Sequence, residues 1–102
     1  MTDSNSSPVL VIQVGTDQTF VGAGRFTAGR SATADITLTD KTISAEHAVF
    51  YRGDDTWLVA DLNSKNGTTV NGQKLSEPRE VKRGDQVKLG STTLITIPAT
   101  GL

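Results

Sequence analysis

The chain has 102 residues, a length that suits one compact domain, and 35% of them are hydrophobic and 21% charged. This balance is too apolar for a disordered chain and too polar for a membrane protein. The net charge is -1, with acidic and basic residues mixed along the chain. No basic face therefore predicts binding to nucleic acid or to anionic lipid.

The chain contains no cysteine, which excludes disulfides, thiolate catalysis and cysteine-ligated zinc. Residues 1–8 lack the basic start and the apolar centre of a signal peptide. No apolar run approaches the ~20 residues that cross a bilayer. We expect a cytoplasmic protein that binds no membrane, no metal and no cofactor.

Short alternating segments, separated by Gly, Asn, Asp and Ser, predict an all-β fold. The first four strands are predicted at residues 9–14, 19–21, 26–28 and 36–38. The later strands are predicted at residues 47–51, 56–60, 68–70, 73–75, around 81, 87–89 and 93–97. The pair at 47–51 and 56–60 flanks turn residues 53–55, so it is predicted to form a hairpin at the centre of the core.

Four polar islands lie between these segments, at residues 29–30, 44–47, 66–68 and 71–72. A phosphomonoester carries roughly -1.5 to -2 charges, and a guanidinium such as that of Arg30 offers it a planar fork of donors. Ser44 can offer a hydroxyl and a backbone N–H. The islands suggest a phosphate-reading loop surface rather than an active site, but residue type alone favours a solvated loop arginine at Arg30. The corresponding alternative for Ser44 is a turn serine that caps its own backbone.

The order and spacing of these stretches resemble the forkhead-associated (FHA) family, small β-sandwich modules that bind phosphothreonine peptides. The matching stretches are Gly-Arg-Ser at 29–31, Ile-Thr-Leu at 36–38, Ile-Ser-Ala-Glu-His-Ala at 43–48, the run from Asp to Gly at 61–72, and Val-Lys-Arg-Gly-Asp at 81–85. The resemblance implies an FHA/SMAD-like β-sandwich of about eleven short strands with its binding loops at one end. The domain is expected over residues 8–97, between a flexible N-terminal tail at 1–7 and a C-terminal tail at 98–102.

The resemblance also implies roles for single residues. It implies that phosphate is bound by Arg30, Ser44 and Lys65, and that the peptide backbone is bound by Asn66. Structural support of the binding loops falls to Gly29, His47, Gly67 and Thr68. The alternatives to these binding roles are that Lys65 is only a solvated side chain and that residues 66–67 form only a hairpin turn. For residues 71–72 we predict that hairpin turn and nothing more.

Ala45 departs from the family pattern, because many phosphate-binding members carry Arg, Lys or Asn directly after the serine. An alanine side chain donates no hydrogen bond, so we expect weaker phosphate binding. We expect Lys65, together with Lys41, to compensate.

Ser44, His47 and Asp61 are the residue types of a hydrolase triad. We reject that interpretation, because the chain has no nucleophile elbow and no oxyanion-hole glycines after Ser44. The chain is therefore not expected to be an enzyme.

The predicted function is a phosphothreonine-peptide-binding module that recruits phosphorylated protein partners in signalling, as a monomer. The alternative is an FHA-fold scaffold for phosphate-independent protein interactions, and Ala45 keeps that alternative open.

Overall fold

The computed structural model describes residues 10–14, 18–22, 24–53, 56–82 and 84–98. Within these ranges the chain forms eleven strands and no helix, which confirms the predicted all-β class. The strands are β1 (Leu10–Val14), β2 (Gln18–Gly22), β3 (Phe26–Gly29), β4 (Ile36–Thr37), β5 (Ala48–Arg52), β6 (Trp57–Asp61), β7 (Thr68–Val70), β8 (Gln73–Lys74), β9 (Arg79–Val81), β10 (Gln86–Leu89) and β11 (Thr92–Pro98).

The strands form two sheets, as expected of a β-sandwich. The six-stranded sheet has the order β2-β1-β11-β10-β7-β8, and the five-stranded sheet has the order β4-β3-β5-β6-β9. Neighbouring strands are antiparallel except β3 and β4, which are parallel. The predicted hairpin of β5 and β6 lies at the centre of the five-stranded sheet, with Ala48 opposite Asp61 and Arg52 opposite Trp57.

The core lies between the sheets and is built by the period-2 alternation of the strands. In β10 the exposed and buried residues alternate strictly, and Val87 and Leu89 are fully buried. The rings of Phe26 and Phe50 stack with centroids 5.1 Å apart, beside the fully buried Trp57. Each large apolar side chain buried in this way contributes roughly 1.5–3 kcal/mol.

Some strand boundaries differ from the prediction. β5 begins at Ala48 rather than at His47, although the His47 backbone still donates to Ala28 and accepts from Leu62. β11 includes Pro98, which was expected in the C-terminal tail and which pairs with Leu10. Residues 1–9, the segments 15–17 and 54–55 where turns are predicted, residues 23 and 83, and residues 99–102 lie outside the described residues.

The turn between β7 and β8 is the predicted two-residue hairpin. Asn71 and Gly72 have φ values of 51° and 86°, the left-handed conformation that Asn-Gly turns adopt. Asn71 does more than turn the chain, because its amide also bonds the Asp85 carboxylate and the backbone N–H of Gln86.

Three loops emerge at one end of the sandwich. The register places Ala28 of β3 opposite Ala48 of β5, and Ala48 opposite Asp61 of β6. The end of β3, the start of β5 and the end of β6 are therefore adjacent. The loops that leave them are the β3–β4 loop (residues 30–35), the β4–β5 loop (residues 38–47) and the β6–β7 loop (residues 62–67).

Candidate functional site

Gly29 lets the β3–β4 and β4–β5 loops meet. A Cβ at this position would overlap the carbonyl oxygen of Ala45, so no side chain fits between the two backbones. The backbone N–H of Arg30 donates to the carbonyl of Ser44 at 3.0 Å, and the N–H of Ser31 donates to the carbonyl of Ala45 at 3.1 Å. The contact places the backbone of Arg30 directly beside that of Ser44.

His47 links the β4–β5 loop to the β6–β7 loop. Its imidazole is fully buried, its Nδ1 accepts the backbone N–H of Ser44 at 3.0 Å, and its Nε2 lies 2.8 Å from the carbonyl oxygen of Gly67. Because Nδ1 accepts, the ring proton of the neutral imidazole is on Nε2 and is donated to Gly67. The backbone N–H of Ser44 is therefore already bonded within the protein. Of the two donors that Ser44 was predicted to offer, only the hydroxyl remains for a ligand.

The Ser44 hydroxyl is held by the neighbouring loop. Its Oγ accepts the backbone N–H of Lys65 at 2.9 Å, and its side chain is half-buried. A hydroxyl that accepts one bond still has a proton to donate. Among the described residues no acceptor takes that proton. Ser44 can therefore donate to an incoming oxygen without first breaking an internal bond.

Asp61 holds the β6–β7 loop in shape. Its carboxylate accepts the backbone N–H of Ser64 at 3.0 Å, the Ser64 hydroxyl, and the Thr68 hydroxyl at 2.7 Å. The Ser64 oxygen in turn accepts the N–H of Gly67, which has a φ of 82°. Burial raises the pKa of Asp61, but the bonds from Ser64 and Thr68 outweigh it and hold the pKa below its ordinary value of 3.8.

Asn66 connects the tip of the β6–β7 loop to the β4–β5 loop. Its Nδ2 donates to the carbonyl oxygen of Thr42 at 2.7 Å, and the residue is otherwise exposed. Thr42 is itself bound by Asp40, whose pKa is lowered chiefly by the bond from the Thr42 backbone N–H. Three loops are thus joined through hydrogen bonds between residues distant in the sequence.

The exposed cations border this junction. Arg30, Lys41 and Lys65 are exposed, and within the described part of the chain none of the three side chains makes an ion pair or hydrogen bond. Ala45 is also exposed and adds no donor. The eight residues predicted for the site therefore lie on or beside the joined loops, with the charged groups outside and the supporting groups His47 and Thr68 buried.

The residue types of a hydrolase triad do not form one. The Ser44 Oγ faces the backbone N–H of Lys65 rather than the His47 ring. The His47 Nε2 faces the Gly67 carbonyl, and Asp61 bonds Ser64 and Thr68. A triad needs the base against the hydroxyl and the carboxylate against the base, so this arrangement cannot activate Ser44.

Two further findings concern the described residues only. They contain no group of three or more His, Cys, Asp or Glu side chains placed to hold a metal ion. Nor do they include a helix long and apolar enough to cross a membrane.

Several residues that support the loops were not predicted from the sequence, namely Asp40, Thr42, Ser64, Ser91 and Thr92. Three of them, Asp40, Thr42 and Ser64, lie in a local pattern. Asp-x-Thr at 40–42 and Asp-x-x-Ser at 61–64 are spacings at which a carboxylate binds a backbone N–H two or three residues later.

The described residues form a two-sheet sandwich of eleven short strands, with interlinked loops at one end that present an arginine, a serine hydroxyl and an asparagine, which is the architecture expected of an FHA-type domain. The FHA domain family model matches residues 26–90. The chain therefore belongs to the FHA family.

Curated proteins are similar to most of this chain. The chain is 43% identical over 74 residues to an oxoglutarate dehydrogenase inhibitor of Corynebacterium diphtheriae, a match that covers 70% of this chain and 49% of the relative. The chain thus spans about half the length of the curated relatives it matches.

Two solved FHA domains superpose closely. One comes from a structural and functional analysis of phosphothreonine-dependent FHA domain interactions, with a TM-score of 0.83, 30% identity, and coverage of 92% of this chain and 99% of the other. The other is the MEK1 FHA domain in complex with a HOP1 phosphothreonine peptide, with a TM-score of 0.77, 28% identity, and the same coverage.

Proposed function

We propose that this domain binds phosphothreonine-containing protein segments and thereby recruits phosphorylated partners in signalling, without catalysis. One observation carries the proposal. The Ser44 hydroxyl is fixed by the Lys65 backbone N–H and keeps its proton for a ligand, and Ser44 contacts the backbones of both Arg30 and Lys65, whose side chains are exposed.

The chemistry of these groups suits a phosphomonoester. A phosphate dianion has three strong acceptor oxygens, and the Arg30 guanidinium, the Ser44 hydroxyl and the Lys65 ammonium are donors to such oxygens. The side chains of Arg30 and Lys65 have no competing partner among the described residues. Binding of phosphate therefore displaces water rather than internal bonds.

The rest of the peptide would meet Asn66, whose amide can both donate to and accept from a peptide backbone. A preference for phosphothreonine over phosphoserine rests on the family resemblance, in which the threonine methyl enters a small apolar recess. One buried methyl contributes only roughly 0.8 kcal/mol, so the preference from burial alone is about fourfold.

The relatives support a regulatory role. One similar solved domain comes from a study of phosphothreonine-dependent interactions, and the other was solved in complex with a phosphothreonine peptide. A curated relative is named as an inhibitor. The alternative, a phosphate-independent scaffold, rests on the exposed Ala45, which lacks the donor that many phosphate-binding members carry.

Calorimetric titration with a phosphothreonine peptide and its unphosphorylated twin tests the proposal. Two arginines flank the same strand, since Arg25 precedes β3 and Arg30 follows it, and both are exposed. Arg30→Ala is expected to weaken phosphopeptide binding by roughly 10- to 150-fold, the value of one charge-assisted hydrogen bond. Arg25→Ala removes the same charge at the opposite end of the strand and is expected to leave the affinity unchanged.

Equal binding of the two peptides, or equal loss in both arginine variants, would contradict the proposal. Binding of a partner that survives Arg30→Ala would instead support the phosphate-independent scaffold.

A further inference from the structure

Thr42 lies where the β4–β5 loop meets the β10–β11 turn, two segments that are distant in the sequence. Its hydroxyl accepts the backbone N–H of Ser91 at 2.8 Å and lies 3.2 Å from the Ser91 Oγ, in the turn between β10 and β11. Gly90 makes the approach possible. A Cβ at Gly90 would overlap the Thr42 Oγ1 and lie 2.6 Å from the Thr42 carbonyl oxygen. The turn thus packs directly against the backbone of Thr42.

Asp40 holds Thr42 from the other side. Its Oδ1 accepts both the backbone N–H of Thr42 at 2.9 Å and the Thr42 hydroxyl at 2.7 Å. Its Oδ2 accepts the Thr92 hydroxyl at 2.8 Å, so the carboxylate also anchors the β4–β5 loop to β11. Asp40 and the residues 90–92 together fix the position of the Thr42 carbonyl.

That carbonyl determines which way the Asn66 amide faces. A carbonyl oxygen can only accept, so the 2.7 Å contact requires that Asn66 present its Nδ2 to Thr42. The Oδ1 of Asn66 is then directed elsewhere, and within the described residues no donor occupies it. One N–H and the Oδ1 remain for a ligand, a donor and acceptor pair that matches one peptide unit.

We propose that Thr42 is a positioning residue, which fixes the Asn66 amide in the orientation that reads the backbone of the bound peptide. The inference rests on the proposed function. Asp40 and the Gly90–Ser91 turn act through Thr42, and none of these three groups needs to touch the ligand. The β10–β11 turn thereby becomes part of the recognition apparatus, although it follows the β6–β7 loop by more than twenty residues.

The test substitutes Thr42 with valine, which keeps the branched shape and removes the hydroxyl. Thr42→Val is expected to weaken phosphothreonine-peptide binding by about 2- to 10-fold, the range of one neutral hydrogen bond. In an Asn66→Ala background the same change is expected to have no further effect, because Thr42 acts only through Asn66. Thr93→Val, on the exposed side of β11, is the matched control and is expected to change nothing.

A second readout needs no peptide. The NMR order parameter of the Asn66 side-chain amide in the unliganded protein is expected to fall in Thr42→Val and to stay at the wild-type value in Thr93→Val. If Thr42→Val does not fold, Thr92→Val loosens Asp40 instead, with the same expected effects on affinity and order.

The outcomes separate the two proposals. If the wild-type protein binds no phosphopeptide, the proposed function fails, and the order parameter alone decides whether Thr42 positions Asn66. If the wild type binds and Thr42→Val binds equally well with an unchanged Asn66 order parameter, the positioning role is overturned while the proposed function stands. Additive losses in the Thr42 and Asn66 variants would also overturn it.

Discussion

Ala45 is the residue at which this chain offers least to a phosphate. It is exposed, and its backbone lies against Gly29 and Ser31 beside the Arg30–Ser44 contact. A donor side chain here would lie next to the Arg30–Ser44 contact, where the proposed function has the phosphate bind. The affinity of the wild-type site is therefore expected to be limited by a missing donor rather than by the shape of the loops.

Ala45→Arg is accordingly expected to tighten phosphothreonine-peptide binding by about tenfold or more, since it supplies one charge-assisted hydrogen bond. Ser76→Arg adds the same charge on the exposed loop between β8 and β9 and serves as the control. Calorimetric titration of both variants checks the prediction. An equal gain in the two variants would show that net charge, and not a contact at residue 45, had changed the affinity.

At the scale of single residues, the sequence predicted local motifs but not long-range side-chain partners. The motifs singled out Arg30, Ser44 and Asn66 because each motif is a local pattern next to a strand end, and the structure joins the loops that carry them. They did not reveal that Thr42 binds Ser91, since the two are 49 residues apart and both are ordinary turn residues. Long-range side-chain partners depend on which loops the sheets bring together, and no local pattern encodes that.

At the scale of elements, the β10–β11 turn is expected to contribute to both stability and recognition. Gly90 has a φ of 58° and lies against Thr42, whereas Gly72 has a φ of 86° and a Cβ added there would meet no atom within 4 Å. A left-handed residue other than glycine costs about 1–2 kcal/mol. An alanine at either position would therefore incur the same backbone strain, and only at Gly90 would it also meet Thr42.

Gly72→Ala is therefore expected to lower the free energy of unfolding by about 1–2 kcal/mol and to leave peptide affinity unchanged. Gly90→Ala is expected to lower it further and also to weaken peptide binding, because the added methyl displaces Thr42. Urea denaturation and peptide titration of the two variants measure both effects. Identical losses of stability, with full affinity in both, would contradict the role assigned to this turn.

The β6–β7 loop depends on an ionised Asp61. Its pKa is lower in the folded protein than its ordinary value of 3.8, so its stabilising contribution is fully present above that value and is lost as the pH falls through the folded pKa. Asp40 has a pKa lowered in the same direction and contributes in the same acidic range.

Asp61→Asn is expected to lower the free energy of unfolding at neutral pH. Below about pH 4 the free energy of unfolding of this variant is expected to fall less steeply with decreasing pH than that of the wild type, and Asp40 accounts for part of the fall that remains. Urea midpoints measured across the acidic range check this result. Glu77→Gln, at an exposed position, is the control and is expected to keep the wild-type slope. A wild-type slope in Asp61→Asn would show that Asp61 is not responsible for the acid sensitivity.

For the whole molecule, the sequence predicted the fold class and the number of strands better than it predicted how the strands are arranged. Alternation identifies a strand because one face is buried, as the pattern of β10 shows. It does not say which strands pair, so the parallel contact of β3 with β4 and the placement of β11 between β1 and β10 emerged only from the structure. That pairing is what brings residues 90–92 to the β4–β5 loop.

The central claim is that the joined loops read a phosphate. The most direct measurement is a titration of the isotopically labelled domain with a phosphothreonine peptide library and its unphosphorylated twin, followed by amide chemical shifts. We predict shifts concentrated at Arg30, Ser44, Lys65 and Asn66, with the phosphorylated library alone. Absence of any response at about millimolar peptide, a concentration that detects even binding of about -4 kcal/mol, would contradict the claim, as would equal shifts with both libraries.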